Sequence, residues 1–130
     1  MRIGIVGAGM IAQIHADAIR RSPTSELAGV MDNGSGKGRA IAPECDHTGS
    51  NDLSAFIRRS DIDAITVASP SGAHLDAGLI AAEAGKHCLI EKPLEITVER
   101  CDALINAFDN SFIAQYSNIS GGNCSGCWMS

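Results

Sequence analysis

Ile3-Gly4-Ile5-Val6-Gly7-Ala8-Gly9-Met10-Ile11-Ala12 is the stretch that decides the fold. Residues 3–6 are a short apolar run, which reads as a buried strand. From Met10 the spacing changes. Ile11, Ile14 and Ala18 recur at helical intervals, which predicts a helix over about 10–21 with those three on one face, and Pro23 follows closely. Between strand and helix lies Gly7-x-Gly9-x-x-Ala12. Gly7 allows a tight turn, Gly9 lets backbone approach a ligand without a Cβ in the way, and Ala12 is small enough for close helix–strand packing. The start of the helix, at Met10 and Ile11, offers free N–H groups and partial positive charge to a pyrophosphate. A glycine turn alone is weak evidence, because such turns arise by chance.

Asp32 raises the specificity. It ends a second strand, 27–31, twenty residues after Ala12. A carboxylate there accepts hydrogen bonds from the ribose hydroxyls of NAD and repels a 2′-phosphate, so it favours NAD over NADP. The plainer role is an aspartate opening a turn with Asn33 and Gly34; the upstream glycine motif tips the balance to the ribose. Lys37 and Arg39 read as solvated loop charges, the alternative being a seat for a 2′-phosphate. Gly34 to Gly38 is not a P-loop, since Lys37 is followed by glycine rather than Ser or Thr.

Strand and helix signals keep alternating. A short helix near Arg39 and a very short strand at 46–48 are expected, then a helix capped by Asn51 or Asp52 and running through Arg59. A clear strand covers 64–68. A helix over about 73–84 should face inward with Leu75, Leu79 and Ala82, and Gly85 ends it as a C′ glycine. Residues 88–90 form another strand. Thr97 caps a last helix with Val98, Cys101, Leu104, Ile105 and Phe108 as its apolar stripe. Short, continuously apolar strands are buried on both faces by helices. The fold class is therefore α/β, a doubly wound parallel sheet of the Rossmann NAD(P)-binding type in a single domain. Unusual residues recur just past the strands: Gly9, Asp32, Ser69 with Pro70, and Glu91 with Lys92. In an open parallel sheet those ends share one edge, where ligands bind.

From Met1 to about Phe108 the chain resembles the N-terminal domain of the Gfo/Idh/MocA oxidoreductases. The resemblance rests on the glycine motif, on Ala68-Ser69-Pro70-Ser71-Gly72-Ala73-His74, and above all on Ala84-Gly85-Lys86-His87-Cys88-Leu89-Ile90-Glu91-Lys92-Pro93-Leu94. The family pattern has Asn where this chain has Ser71. The resemblance implies an NAD(P)-dependent dehydrogenase that transfers hydride between nicotinamide and a sugar or cyclitol-like polyhydroxy substrate. It implies that Lys92 lies near the reacting oxygen and stabilises alkoxide charge. It implies that Glu91 orients Lys92 or contacts the cofactor, and that His74 lies beside the cofactor; the plainer alternatives are a solvent-facing Glu91 and a His74 that only opens its helix. The family carries a second domain for substrate contacts and oligomerisation, and the reading expects that domain, with its oligomer surface, to be absent here and the product to be a truncated form. Two other classes remain: a non-catalytic dinucleotide-binding module and a non-functional fragment.

Composition narrows the partners. The 130 residues suit one domain. A net charge of −5 argues against nucleic acid and anionic membrane surfaces. Five cysteines in no scaffold spacing are expected to be reduced thiols in a cytoplasmic protein. Neither His15 and His47 nor Cys124 and Cys127 make a metal set, so no metal is expected. All ten basic and fifteen acidic side chains lie before Asn110. Residues 109–130 are thus expected to be a divergent tail, with a last strand at 111–117 and a disordered ending.

Overall fold

A computed structural model describes residues 1–45 and 52–110 and the backbone of 115–117. The elements run β1 (Arg2–Val6), α1 (Met10–Arg21), β2 (Glu26–Met31), α2 (Lys37–Ile41), α3 (Leu53–Ile57), β3 (Ala64–Val67), α4 (His74–Glu83), β4 (His87–Ile90), α5 (Val98–Asp109) and β5 (Gln115–Ser117). A 3-10 turn, Ser71–Ala73, leads into α4. The strand expected at 46–48 and the Cys124–Cys127 pair lie outside the described residues. No helix among the described residues is long and apolar enough to cross a membrane.

All pairings are parallel, in the order β2-β1-β3-β4-β5. The direction of winding reverses between β1 and β3, and a crevice opens beyond strand ends at such a switch point. Alternation along the strands feeds two cores. Ile5, Leu27 and Val30 pack with Ala12, Ala16 and Ile19 of α1 and Ile41 of α2. Val6, Ile65, Val67, Cys88 and Ile90 pack on the opposite face with Phe56 and Ile57 of α3, Ala77 and Ala81 of α4, and Leu104 and Phe108 of α5. Burial pushes the Cys88 thiol up to about 12, so it behaves as an inert apolar group.

The predicted face of α1 is corrected, and those of α4 and α5 are found in part: Ala82, Leu104 and Phe108 are buried as expected and Leu75 packs on the core. On α1 the buried stripe is Ala12, Ala16 and Ile19, whereas Ile11, Ile14 and Ala18 face outward. Two apolar stripes lie side by side on this helix, and the one rich in alanine wins because it permits close approach to the sheet. On α4 the buried residues are His74, Ala77, Gly78, Ala81 and Ala82, with Leu79 only half-buried. Again small side chains lie inward: a Cβ on Gly78 would collide with Leu104 of α5. On α5 only Leu104 and Phe108 are buried, while Val98 and Ile105 are exposed.

The expected helix ends are found. Asp52 caps α3 by accepting from Ala55 N–H at 2.9 Å. Thr97 caps α5 by accepting from Arg100 N–H. Gly85 adopts φ +68° after α4, the left-handed conformation that suits a C′ glycine. Helix α3 is shorter than expected and stops at Ile57. Beyond it, Arg59 turns back to pair with Asp61 at 2.6 Å and lies over the Phe56 ring.

Candidate functional site

The parallel strands deliver four segments to one edge: the turn after β1, Asp32 after β2, Ser69–Pro70 after β3, and Glu91–Pro93 after β4. Gly7 and Gly9 in the first turn are glycines for different reasons. Gly7 has φ +105°, and a Cβ there would sit 2.6 Å from the Ala68 carbonyl oxygen. Its N–H donates to Met31 O at 2.9 Å, so Gly7 joins three strand ends where the crevice opens. Gly9 has φ −89° and ψ −169°, a conformation open to any residue, and nothing lies within 4 Å of its ideal Cβ. No contact among the described residues requires glycine there. Space at that Cβ matters only to a molecule from outside.

Gly9 precedes α1, whose N-terminus has no side-chain cap. The first N–H groups of a helix lack intrahelical partners, so those of Met10 and Ile11 are available to an anion. The Met10 side chain is 82% exposed beside them.

Asp32 is half-buried. Its carboxylate accepts from Gly34 N–H at 2.7 Å and from Gly38 N–H at 2.6 Å. The turn role weighed from sequence is thus observed, and it orients the carboxylate at the end of β2. Each oxygen has more than one acceptor site, so these bonds do not preclude ribose hydroxyls. Lys37 and Arg39 are exposed on α2.

The Ser69 hydroxyl is buried and has no hydrogen-bond partner among the described residues, whereas buried hydroxyls are normally paired. Pro70 is exposed and precedes the 3-10 turn.

His74 is only 1% exposed. Nε2 lies 2.7 Å from the Ser69 carbonyl, and Nδ1 lies 3.0 and 3.1 Å from those of Pro93 and Leu94. The ring thus lies between the Ser69 loop and the Pro93–Leu94 segment, both of which reach this edge, and a ring N–H donates to loop carbonyl oxygen there.

Lys92 is exposed, joined to Pro93 by a cis peptide bond, and its ammonium has no hydrogen bond or ion pair among the described residues. Glu91 is turned to a partner instead. His15 Nε2 donates to Glu91 Oε1 at 2.6 Å, both side chains being about one-fifth exposed.

Two contributors escaped the sequence. Nothing in the sequence around His15 points to this contact, because its partner lies 76 residues away. Glu95 has a wholly buried side chain that accepts from Leu75 N–H at 2.8 Å, Ile96 N–H at 2.9 Å, and Arg100 at 2.9 and 3.1 Å. The Arg100 guanidinium, helped by those N–H groups, holds its carboxyl down to about 2. Arg100, five residues on, is the one local signal of this role.

Fold and edge together define a doubly wound α/β domain whose glycine turn and helix N-terminus suit an anionic nucleotide. Comparison with known proteins specifies it further. Residues 1–112 match the model of the oxidoreductase family with an NAD-binding Rossmann fold, GFO_IDH_MocA. The chain belongs to that family.

It is 33% identical over 105 residues to UDP-N-acetylglucosamine 3-dehydrogenase of Acidithiobacillus ferrooxidans, covering 81% of this chain and 32% of that one. It is 30% identical over 113 residues to inositol 2-dehydrogenase of Rhizobium meliloti, covering 85% and 33%. Among solved structures, the WlbA dehydrogenase of Bordetella pertussis in complex with NADH and UDP-GlcNAcA superposes with TM-score 0.81 at 27% identity, over 89% of this chain and 36% of that one. The chain therefore spans about a third of the length of the relatives it matches.

The residues present fit a dinucleotide. The space beside Gly9, the uncapped start of α1 and the carboxylate of Asp32 lie on one edge in the order that phosphates and ribose require.

Proposed function

We propose that this chain is the cofactor-binding part of an NAD-dependent dehydrogenase acting on a sugar, cyclitol or similar polyhydroxy compound. The observation that carries the proposal is Gly9, whose lack of a side chain serves no contact among the described residues. The N–H groups of Met10 and Ile11 hold the diphosphate. Asp32 accepts from the adenosine ribose hydroxyls and disfavours a 2′-phosphate, so NAD is preferred to NADP. Ser69 and Pro70 border the nicotinamide side of the crevice, and Glu91 fixes the approach to Lys92. When bound, the nicotinamide supplies a hydride acceptor or donor. Lys92 contributes a mobile ammonium that donates a hydrogen bond to the substrate oxygen and stabilises alkoxide character there. The polyhydroxy substrate class follows from the names of the relatives, which are sugar and inositol dehydrogenases.

The test is calorimetric titration of the full chain with NADH and NADPH, beside the Gly9→Val variant. Saturable binding that favours NADH, abolished by Gly9→Val in a protein of unchanged circular dichroism, supports the proposal. Equal affinity for both cofactors refutes the Asp32 role. Undiminished binding by Gly9→Val refutes the phosphate site.

A further inference from the structure

Lys92 has no side-chain partner among the described residues, yet the residues on both sides of it are tied down. Before it, Glu91 N–H donates to Val67 O at 3.1 Å, and the Glu91 carboxylate accepts from His15. The carbonyls of the two residues after it, Pro93 and Leu94, meet Nδ1 of His74, whose Nε2 meets the Ser69 loop. The two histidines come from opposite layers. His15 is on α1, which packs in the core on one face of the sheet, and His74 is on α4, in the core on the other. The short segment beyond β4 is therefore gripped from both faces, with the ammonium left free between the grips.

Packing alone does not call for these residues. His15 is about one-fifth exposed, and its 2.6 Å bond to a carboxylate does nothing for an apolar core. His74 is buried among carbonyl oxygens that no aliphatic side chain would satisfy. A group that must meet a reacting oxygen needs its backbone held to about half an ångström, and an exposed lysine on a loop lacks that by itself.

We propose that His15 and His74 are positioning residues for Lys92, one fixing the residue that precedes it and the other the two that follow. The inference rests on the role given to Lys92 in the proposed function.

The experiment uses the full chain, hydrogen–deuterium exchange of the peptide spanning 91–97, and calorimetry with two probes. ADP-ribose reports the Gly9–Asp32 half alone, and NADH adds the nicotinamide half. His15→Leu and His74→Gln should each speed exchange in 91–97 about tenfold while leaving β1 and β2 unchanged. They should weaken NADH binding by about fivefold or more with ADP-ribose affinity held within about twofold. His15→Gln keeps a donor near the Nε2 position, and His74→Asn keeps one near Nδ1. Both should recover most of the loss, which a merely space-filling role would not produce.

Unchanged exchange in 91–97 overturns the proposal, as does a parallel loss of both ligands with exchange rising across the sheet. If the unmutated chain binds neither probe, the dinucleotide proposal fails, and the exchange measurements still decide whether the two histidines hold the segment.

Discussion

Glu95→Gln should destabilise the domain by about 2 to 3 kcal/mol at neutral pH, with a pH dependence that identifies the cause. The Glu95 side chain is wholly buried, and its carboxylate accepts from Leu75, Ile96 and Arg100. Its pKa falls from 4.5 to about 2. Each unit corresponds to about 1.4 kcal/mol, so the carboxylate contributes at most about 3 kcal/mol. Arg100 is 32% exposed, and solvent screening brings the figure toward the lower end of the stated range. Because the folded pKa lies below the unfolded one, the contribution is complete above about pH 5 and is lost as pH falls from 4.5 toward 2. Glutamine does not titrate. The stability gap between the two proteins should therefore be constant from about pH 7 to 5.5 and narrower by about 1 kcal/mol at pH 3.5. Urea unfolding followed by circular dichroism at those three pH values measures it. A gap below about 0.5 kcal/mol at neutral pH, or one that does not narrow in acid, refutes the assignment of a buried, ionised clasp.

Gly7→Ala should cost about 2 kcal/mol or more in denaturant melts, since φ is +105° and the new methyl would meet Ala68 backbone at 2.6 Å. Asp32→Ala should narrow the preference for NADH over NADPH in parallel titrations. It should also lower stability by about 1 to 2 kcal/mol, because the N–H groups of Gly34 and Gly38 lose their acceptor. Lys92→Met should leave the unfolding free energy unchanged to within about 0.5 kcal/mol, since the exposed ammonium has no partner among the described residues. A large loss would mean that the ammonium serves the fold rather than chemistry.

Much of this protein is legible in its residues. The alternation of apolar strands with capped helices and the glycine turn between β1 and α1 specify a parallel α/β sheet, because period, cap and turn are local properties. The same locality explains why Asp52, Thr97 and Gly85 were found as helix ends. Which face of each helix is buried was legible only in part: Ala82, Leu104 and Phe108 are inward as expected, whereas the α1 face is not the expected one. On α1 and α4 apolar side chains surround more than one face, and the choice fell to the alanines and Gly78, through the distance at which helix and sheet pack.

The sequence by itself thus determined the order of the elements, the edge at which Gly9, Asp32, Ser69 and Lys92 meet, and the family. Only the tertiary structure decided that His74 points into backbone carbonyls, that His15 reaches Glu91 across 76 residues, and that Glu95 is buried against Arg100. Those outcomes depend on long-range contacts between side chains whose local sequence would suit a solvent-exposed surface equally well. Burial turns each into a hydrogen-bonded part of the site, because a polar group removed from water is tolerable only when it finds partners there.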